Sequence, residues 1–224
     1  MHPIERLRYV ARAGWAGPSE LAAEAAWALA DLAEREPAAL VPACRRLLDR
    51  QPGCGPLWWL CARVLSAPDP VTEAVVCAEE LCDDPTASLL LEALPPGARA
   101  VRRGGIGEVA GADYVVVEAE ALGATGMVAD ASCAGLIEAA RAAQVPLWAE
   151  AGVGRLLPPR LWSAMCRRLG AEGPAAARPQ HVRGHSRLFD HDLLEQVVGP
   201  YGARPLAEAL AVRDCPEPPE LLEH

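Results

Sequence analysis

The sequence contains no lysine and no asparagine among its 224 residues. Without lysine, the chain cannot form a Schiff base with a carbonyl substrate or cofactor, and it has no P-loop lysine. Pyridoxal-phosphate enzymes, lysine aldolases and Walker nucleoside triphosphatases are therefore excluded. A bound phosphate group would have to be held by arginine, by hydroxyl groups or by backbone N–H groups.

Long apolar runs and paired cysteine motifs are also missing. No apolar stretch approaches the roughly 20 residues that span a membrane, and the N-terminal residues lack the apolar core of a signal peptide. None of the eight cysteines forms a C-x-x-C pair, so we interpret them as reduced core residues rather than disulfides or zinc ligands. We therefore expect a cytoplasmic protein without a metal site.

The overall composition is that of a folded, acidic protein. Apolar residues make up 51% of the chain and charged residues 23%, which excludes disorder and supplies a core. The net charge of −9 and the pI near 5.1 argue against DNA or an anionic membrane as the main partner.

A βαβ unit is predicted between residues 113 and 150. The continuous apolar run 114–117 is rich in valine, which is typical of a strand buried on both faces of a parallel sheet. The strand is followed by a crossing loop of small residues that includes Gly126. A helix over 131–143 and a second strand over 145–149 come next. In open α/β sheets, ligands bind at the carboxyl ends of the strands, so we expect the functional site at that rim.

The whole chain is predicted to be an α/β protein with two parts. Residues 1–84 have helical patterns throughout and form a helical N-terminal domain, and residues 85–224 form a Rossmann-like domain with a short, mostly parallel sheet. Trp58-Trp59 lies in an apolar helical pattern, which favours core packing over ligand stacking. Residues 188–198 are expected to be helical, and the last dozen residues to be loosely held.

Four segments occur in an order that matches a known family. They are the loop from Gln51-Pro52 to Pro56-Leu57, the turn Pro85–Ser88, the strand end Val117–Ala121 and the segment from Phe189-Asp190 to Leu194. In this order they resemble the translation initiation factor 2B regulatory-subunit family, which includes methylthioribose-1-phosphate and ribose-1,5-bisphosphate isomerases. The resemblance implies a helical domain joined to a Rossmann-like domain, and a homodimer formed through the latter.

The resemblance also implies a chemistry, in which a Cys and an Asp convert an aldose 1-phosphate into a ketose 1-phosphate. By position, the Asp falls on Glu120, which is one methylene longer, and the family's Asn-Lys pair falls on Asp130-Ala131. No cysteine stands in the place of the catalytic one. Glu120 is therefore the candidate general acid/base of a shortened, diverged member.

The remaining candidate residues are those that could hold a phosphorylated ligand on the rim. Arg102 and Arg103, ahead of the loop Gly104-Gly105, could bind phosphate through guanidinium and backbone donors. Arg155, after a second glycine turn, is a further anion candidate. For each of them the alternative is an ordinary surface arginine or turn. The predicted ligand-binding set is Arg102, Arg103, Gly105, Gly126, Asp130 and Arg155.

We therefore predict a protein that binds a phosphorylated sugar or nucleotide at the rim formed by 102–107, 118–126 and 150–155, without a cofactor. The alternative is a non-catalytic regulatory or interaction subunit that keeps the fold and the dimer surface. A dehydrogenase-like nucleotide binder is disfavoured, because no G-x-G-x-x-G opens a helix after a strand. The cluster His181, His185 and Asp190–Asp192 would need three or four converging ligands to hold a metal, so a solvated segment is favoured.

Overall fold

The computed structural model describes most of the chain, namely residues 3–10, 17–102, 105–170, 186–191, 194–211 and 214–222. Within these ranges, no helix combines the length and the apolar character that a membrane crossing requires. The predicted positions Arg103, His181 and His185 lie outside the described residues.

The N-terminal part is helical, as predicted. Its helices and the first helix after residue 84 are α1 (Pro3–Val10), α2 (Pro18–Arg35), α3 (Leu40–Arg50), α4 (Gly55–Ser66), α5 (Pro70–Cys82) and α6 (Thr86–Ala93). Proline in the first turn, where a backbone N–H has no partner within the helix, helps to start α2, α4 and α5. The Asp69 side chain caps α5 by accepting hydrogen bonds from the backbone N–H groups of Val71 and Thr72.

The main sheet has five strands in the order β1-β2-β5-β7-β8, with parallel pairing except for β7 and β8. Its strands are β1 (Ala100–Val101), β2 (Tyr114–Glu118), β5 (Leu147–Glu150), β7 (Leu194–Gly199) and β8 (Gly202–Pro205). A crossover through α7 (Ala134–Ala143) joins β2 to β5, so the predicted βαβ unit is confirmed. The α/β fold class with a mostly parallel sheet is confirmed as well.

The part of the crossover that was predicted to be a loop is a hairpin, so that prediction is wrong. Residues 121–130 form an antiparallel hairpin of β3 (Ala121–Gly123) and β4 (Gly126–Asp130), and β6 (Ser186–Phe189) pairs with β4 to complete a second sheet. The side chain of Trp162, on α8 (Pro159–Arg168), packs so closely on the hairpin that a Cβ at Gly123 would come within 2.1 Å of its ring. Gly123 therefore makes this contact possible.

Two predictions for the C-terminal part are wrong. The segments expected to be helical within 188–198 are the strands β6 and β7. Residues 214–222, the described part of the last dozen, are not loosely held either, because the short helix α10 (Pro219–Leu222) packs on α8 and both Cys215 and Leu221 are buried. Another short helix, α9 (Leu206–Ala209), follows β8.

The core of the α/β part lies on both faces of β2, which is why the apolar run of this strand is continuous. Val115 and Val117 pack with α7, whereas Val116 packs on the opposite face with Leu90 of α6. The largest cluster joins the helical part to the hairpin and to α8, and its centre holds the fully buried Trp58 and Trp59. The core interpretation of the two tryptophans is confirmed.

Candidate functional site

Carboxylates collect where β2 and β5 end. Glu118 and Glu150, the last residues of the two strands, are register partners, and the backbone N–H of Ala119 donates to the carbonyl oxygen of Glu150 at 2.9 Å. Glu120 follows two residues later, at the start of the hairpin. The carboxyl ends of parallel strands meet at one edge of a sheet, so the fold brings these acids to the expected rim.

Glu120 is fixed between the hairpin and the helical part by its own backbone. Its N–H donates to the carbonyl oxygen of Val128 at 2.7 Å, and its carbonyl oxygen accepts from the N–H of Gly55 at 3.1 Å. A Cβ at Gly55 would lie 2.6 Å from that carbonyl oxygen, so only glycine allows the approach. The loop from Gln51-Pro52 to Pro56-Leu57 therefore contacts the backbone of the candidate catalytic residue.

The environment of Glu120 favours the protonated carboxyl group. Burial raises the pKa of Glu120 above its ordinary value, and the neighbouring Asp130 and Glu118 act in the same direction. A hydrogen bond with the Ser186 side chain and the positive charge of Arg155 oppose the shift. A carboxyl group with a raised pKa can donate and accept protons closer to neutral pH than an exposed one.

Arg155 is a buried guanidinium with several protein partners. One terminal nitrogen contacts Glu118 at 3.0 Å and the carbonyl oxygen of Ala119 at 2.6 Å, and the other donates to Ser19 Oγ at 3.2 Å. Its side chain is 8% exposed. These contacts tie the loop after β5 to the end of β2 and to the start of α2, so they give Arg155 a structural role at the rim.

Arg102 is placed differently, because it is half-exposed and extends across the rim. It follows β1, but its guanidinium pairs with the carboxylate of Glu150 at the end of β5. Since β2 lies between these strands, the side chain crosses two strand spacings, roughly 10 Å, over the end of β2. Gly105, three residues later in the chain, is exposed, with open space where a side chain would be.

The other two predicted residues lie at opposite ends of β4. Asp130 is at the rim, where its carboxylate accepts from the N–H of Ser132 and starts the turn into α7. Gly126 is at the hairpin turn, four residues away, and a Cβ there would lie 2.8 Å from the carbonyl oxygen of Phe189. The structure therefore brings Glu120, Asp130, Arg155 and Arg102 together and leaves Gly126 outside the group.

Three residues at the rim were not among the predicted site residues. Ser186 is the register partner of Asp130 on β6, a strand that was expected to be helix. Cys133 lies within the electrostatic range of Asp130, Glu118 and Glu120. Asp84 accepts from the N–H groups of Thr86 and Val153 and so joins α6 to the loop after β5. The turn-forming residues before β8 were the local sequence signal that could have predicted strands instead of a helix in this part of the chain.

The thiols near the rim are held in the protonated form. Burial raises the pKa of Cys133, and the carboxylates of Asp130, Glu118 and Glu120 add to this effect. Burial raises the pKa of Cys54 to about 12, with a small contribution from Glu120. Neither group is an activated thiolate, which is the form that acts as a nucleophile.

The histidine cluster of the C-terminal part is described only at its end. His181, His185 and Asp192 lie outside the described residues, and His191 Nε2 is 2.9 Å from the carbonyl oxygen of Ala124. Where the chain is described, no three potential metal ligands converge.

The structure combines a layer of helices with a mostly parallel sheet, and acidic residues lie at the carboxyl ends of the strands. Other solved structures share this α/β fold. The chain is similar to the initiation factor 2B beta subunit from Chaetomium thermophilum, at 12% identity and a TM-score of 0.68 over 92% of this chain and 89% of that one. A chain of the tetrameric beta2-delta2 complex from C. thermophilum matches at 14% identity and a TM-score of 0.72, over 92% of each chain.

An isomerase has the same fold. The 5-methylthioribose 1-phosphate isomerase from Pyrococcus horikoshii OT3 matches at 14% identity and a TM-score of 0.55, over 94% of this chain and 88% of that one. No protein-family model matches the sequence, and no curated protein gives a significant match. These structural matches establish the shared fold, which confirms the resemblance at the level of architecture.

Proposed function

We propose that this protein binds a phosphorylated sugar or nucleotide at the rim where β2 and β5 end. The observation that carries the proposal is the Glu120 carboxyl group, which is partly buried, hydrogen-bonded to Ser186 and raised in pKa beside Asp130. Such a group is suited to sugar hydroxyls, because its protonated form donates a hydrogen bond and its ionised form accepts one.

The phosphate end of the ligand is assigned to the Arg102 side of the rim. Arg155 is committed to Glu118, Ala119 and Ser19, whereas Arg102 is half-exposed and has one carboxylate partner, Glu150. A phosphate group competes well for such a guanidinium, since it accepts two parallel charge-assisted hydrogen bonds. Gly105, with its exposed backbone, lies next to it in the chain.

Aldose–ketose isomerisation is the reaction that this arrangement could support. Glu120 would move a proton between neighbouring carbons of the open-chain sugar, and a raised pKa suits that role. Cys133 lies close enough to feel the Glu120 charge, and its protonated thiol is a second proton donor at the same rim.

The test is to incubate the protein with ribose 1-phosphates and to follow the sugar protons by NMR. New ketose signals with the wild type, lost in Glu120→Gln, would establish the isomerase and its acid. Glu138→Gln on α7 is the matched control, because it makes the same change at an exposed glutamate. Ligand lines that broaden without conversion would support binding alone, and unchanged spectra would refute the sugar-phosphate function.

A non-catalytic interaction subunit is the second candidate, and the position of Arg155 favours it. Arg155, the buried arginine among the described rim residues, holds protein groups together instead of facing a ligand. One similar structure comes from a tetrameric complex, and we extend assembly with other chains to this protein as part of the proposal. Sedimentation of the purified protein tests the predicted homodimer, which a monomer would contradict.

A further inference from the structure

The ion pair between Arg102 and Glu150 spans the rim above the end of β2. Its contact is made by Nη2 of the guanidinium, which donates to the Glu150 carboxylate. A guanidinium offers two pairs of parallel donors, Nε with Nη2 and Nη1 with Nη2, so Nη2 belongs to both. A phosphate group that binds two parallel donors therefore needs the nitrogen that Glu150 already uses, and the two anions compete for it.

The two ends of the pair differ in how firmly they are held. Glu150 belongs to a central strand, where its register partners are Glu118 on β2 and Val198 on β7, and its side chain is 12% exposed. Arg102 follows the edge strand β1, and its side chain is 44% exposed. The guanidinium can therefore turn towards a ligand, whereas the carboxylate stays at the rim as a fixed anion.

A second carboxylate favours the paired arrangement when no ligand is bound. Glu118 and Glu150 are register partners on neighbouring parallel strands, so their side chains leave the sheet on the same face. Arg155 contacts Glu118 at 3.0 Å, and Arg102 is the cation that contacts Glu150 in the described ion pairs. When Arg102 turns away, the repulsion between the two carboxylates is less compensated, so the pair forms again once the ligand leaves.

We propose that Glu150 is an internal competitor of the ligand phosphate for Arg102, and that it thereby sets the affinity of the rim for phosphorylated ligands. This inference rests on the ligand binding proposed for the rim and adds a self-inhibiting contact to it. In the free protein the carboxylate occupies the guanidinium, and the phosphate group of a ligand displaces it. A sugar without a phosphate group has no anion that displaces Glu150, so the pair also favours phosphorylated sugars.

The size of the effect follows from the strength of the pair. Competition lowers the apparent affinity by the fraction of free molecules in which the guanidinium is available. Ion pairs between partly exposed side chains are modest, and that fraction should be roughly one in five. Removal of the Glu150 charge should therefore tighten binding about fivefold.

Calorimetric titration of the intact protein with ribose 1-phosphate tests the proposal. Glu150→Gln keeps the size of the side chain, removes its charge and should bind about fivefold more tightly than the wild type. Arg102→Gln should bind at least about tenfold more weakly, because it loses the charged donors. Glu138→Gln makes the same change as Glu150→Gln at an exposed residue of α7, and this matched control should bind like the wild type.

A double variant that combines Arg102→Gln with Glu150→Gln separates competition from a general effect of charge. If Glu150 acts through Arg102, the double variant binds no more tightly than Arg102→Gln alone. A gain of equal size with and without Arg102 would mean that the carboxylate only repels the ligand phosphate, and this result would overturn the proposal.

The same titrations distinguish the failure of this proposal from the failure of the function on which it rests. Binding that Arg102→Gln weakens and Glu150→Gln leaves unchanged or weaker overturns the competition alone. Absence of binding to both the wild type and Glu150→Gln overturns the ligand binding at the rim, and the competition with it. Binding that becomes measurable only in Glu150→Gln supports both.

Discussion

The arginines at the rim and those at the far end of α8 differ in the groups that they contact. At the rim, the two described arginines are each paired with a carboxylate, Arg155 with Glu118 and Arg102 with Glu150. At the end of α8, the described ion pairs join Asp49 to Arg168, whereas Arg45 and Arg167 donate to neutral backbone carbonyl oxygens. The net charge of −9 therefore describes neither surface. Local pairing decides which protein groups each arginine holds.

The largest expected effect comes from breaking the buried rim pair. Arg155→Met removes the donor that reaches the carbonyl oxygen of Ala119 and the positive charge beside Glu118, and we expect a loss of about 3 kcal/mol in the free energy of unfolding. Arg167→Met, at the exposed arginine of α8, should cost only about 0.5 kcal/mol. Urea denaturation measures both, and equal losses would refute the contrast between the two regions.

The next largest effect should come from the turn that supports Arg155. A Cβ at Gly152 would lie 2.1 Å from Asp84 Oδ2, and that carboxylate is held by Val153 and Thr86. Gly152→Ala should therefore destabilise the protein by about 2 kcal/mol through overpacking. Gly107→Ala, where nothing lies within 4 Å of the new carbon, is the control and should be close to neutral. Thermal melting of the two variants, compared with the wild type, measures the difference.

A smaller effect concerns the pH dependence of stability. Because the pKa of Glu120 is raised in the folded protein, its contribution to stability is fully present below its ordinary value of 4.5 and is lost as the pH rises through the folded value. Glu120→Gln does not titrate, so its melting temperature relative to the wild type should rise across that range. A difference between the two that stays constant with pH would show that the carboxyl group is not held in its protonated form.

The smallest effect is on the reactivity of Cys133. Asp130 is the carboxylate that contributes most to the raised pKa of this thiol, so Asp130→Asn should increase the rate of alkylation by iodoacetamide slightly. Asparagine can still accept from the N–H of Ser132, so the turn is kept. Peptide mass spectrometry can follow Cys133 against the exposed Cys82 in the same sample, and Cys82 should not change.

The central strands β2 and β5 of the main sheet could be predicted from the sequence because their signal is local. Val115 to Val117 form a continuous apolar run, and the structure buries these side chains on both faces of the sheet. The position of Glu120 at the rim followed from that strand. The same argument placed Trp58 and Trp59 in the core, since an apolar helix must be covered by its neighbours.

The second sheet could not be predicted because its pairing is not local. The hairpin strand β4 pairs with β6, which follows it by more than fifty residues, and a three-residue strand such as β3 has little pattern of its own. Ser186 was missed as a partner of Glu120 because β6 was not predicted as a strand.

The strand β7 of the main sheet was missed for a different reason. Leu194, Val197 and Val198 are spaced as on one face of a helix, although β7 buries Val197 and Val198 on opposite faces of the sheet.

The connection between the two sheets has a consequence for how the rim can move. Leu122 of β3 donates to the carbonyl oxygen of Arg155, and its own carbonyl oxygen accepts from the N–H of Leu157. One hairpin residue thus holds the chain on either side of Leu156, at the end of the loop that contains Arg155. Opening this loop breaks the edge of the hairpin at the same time, so the two segments form one cooperative unit of local unfolding. A ligand that stabilises either segment therefore slows the opening of both.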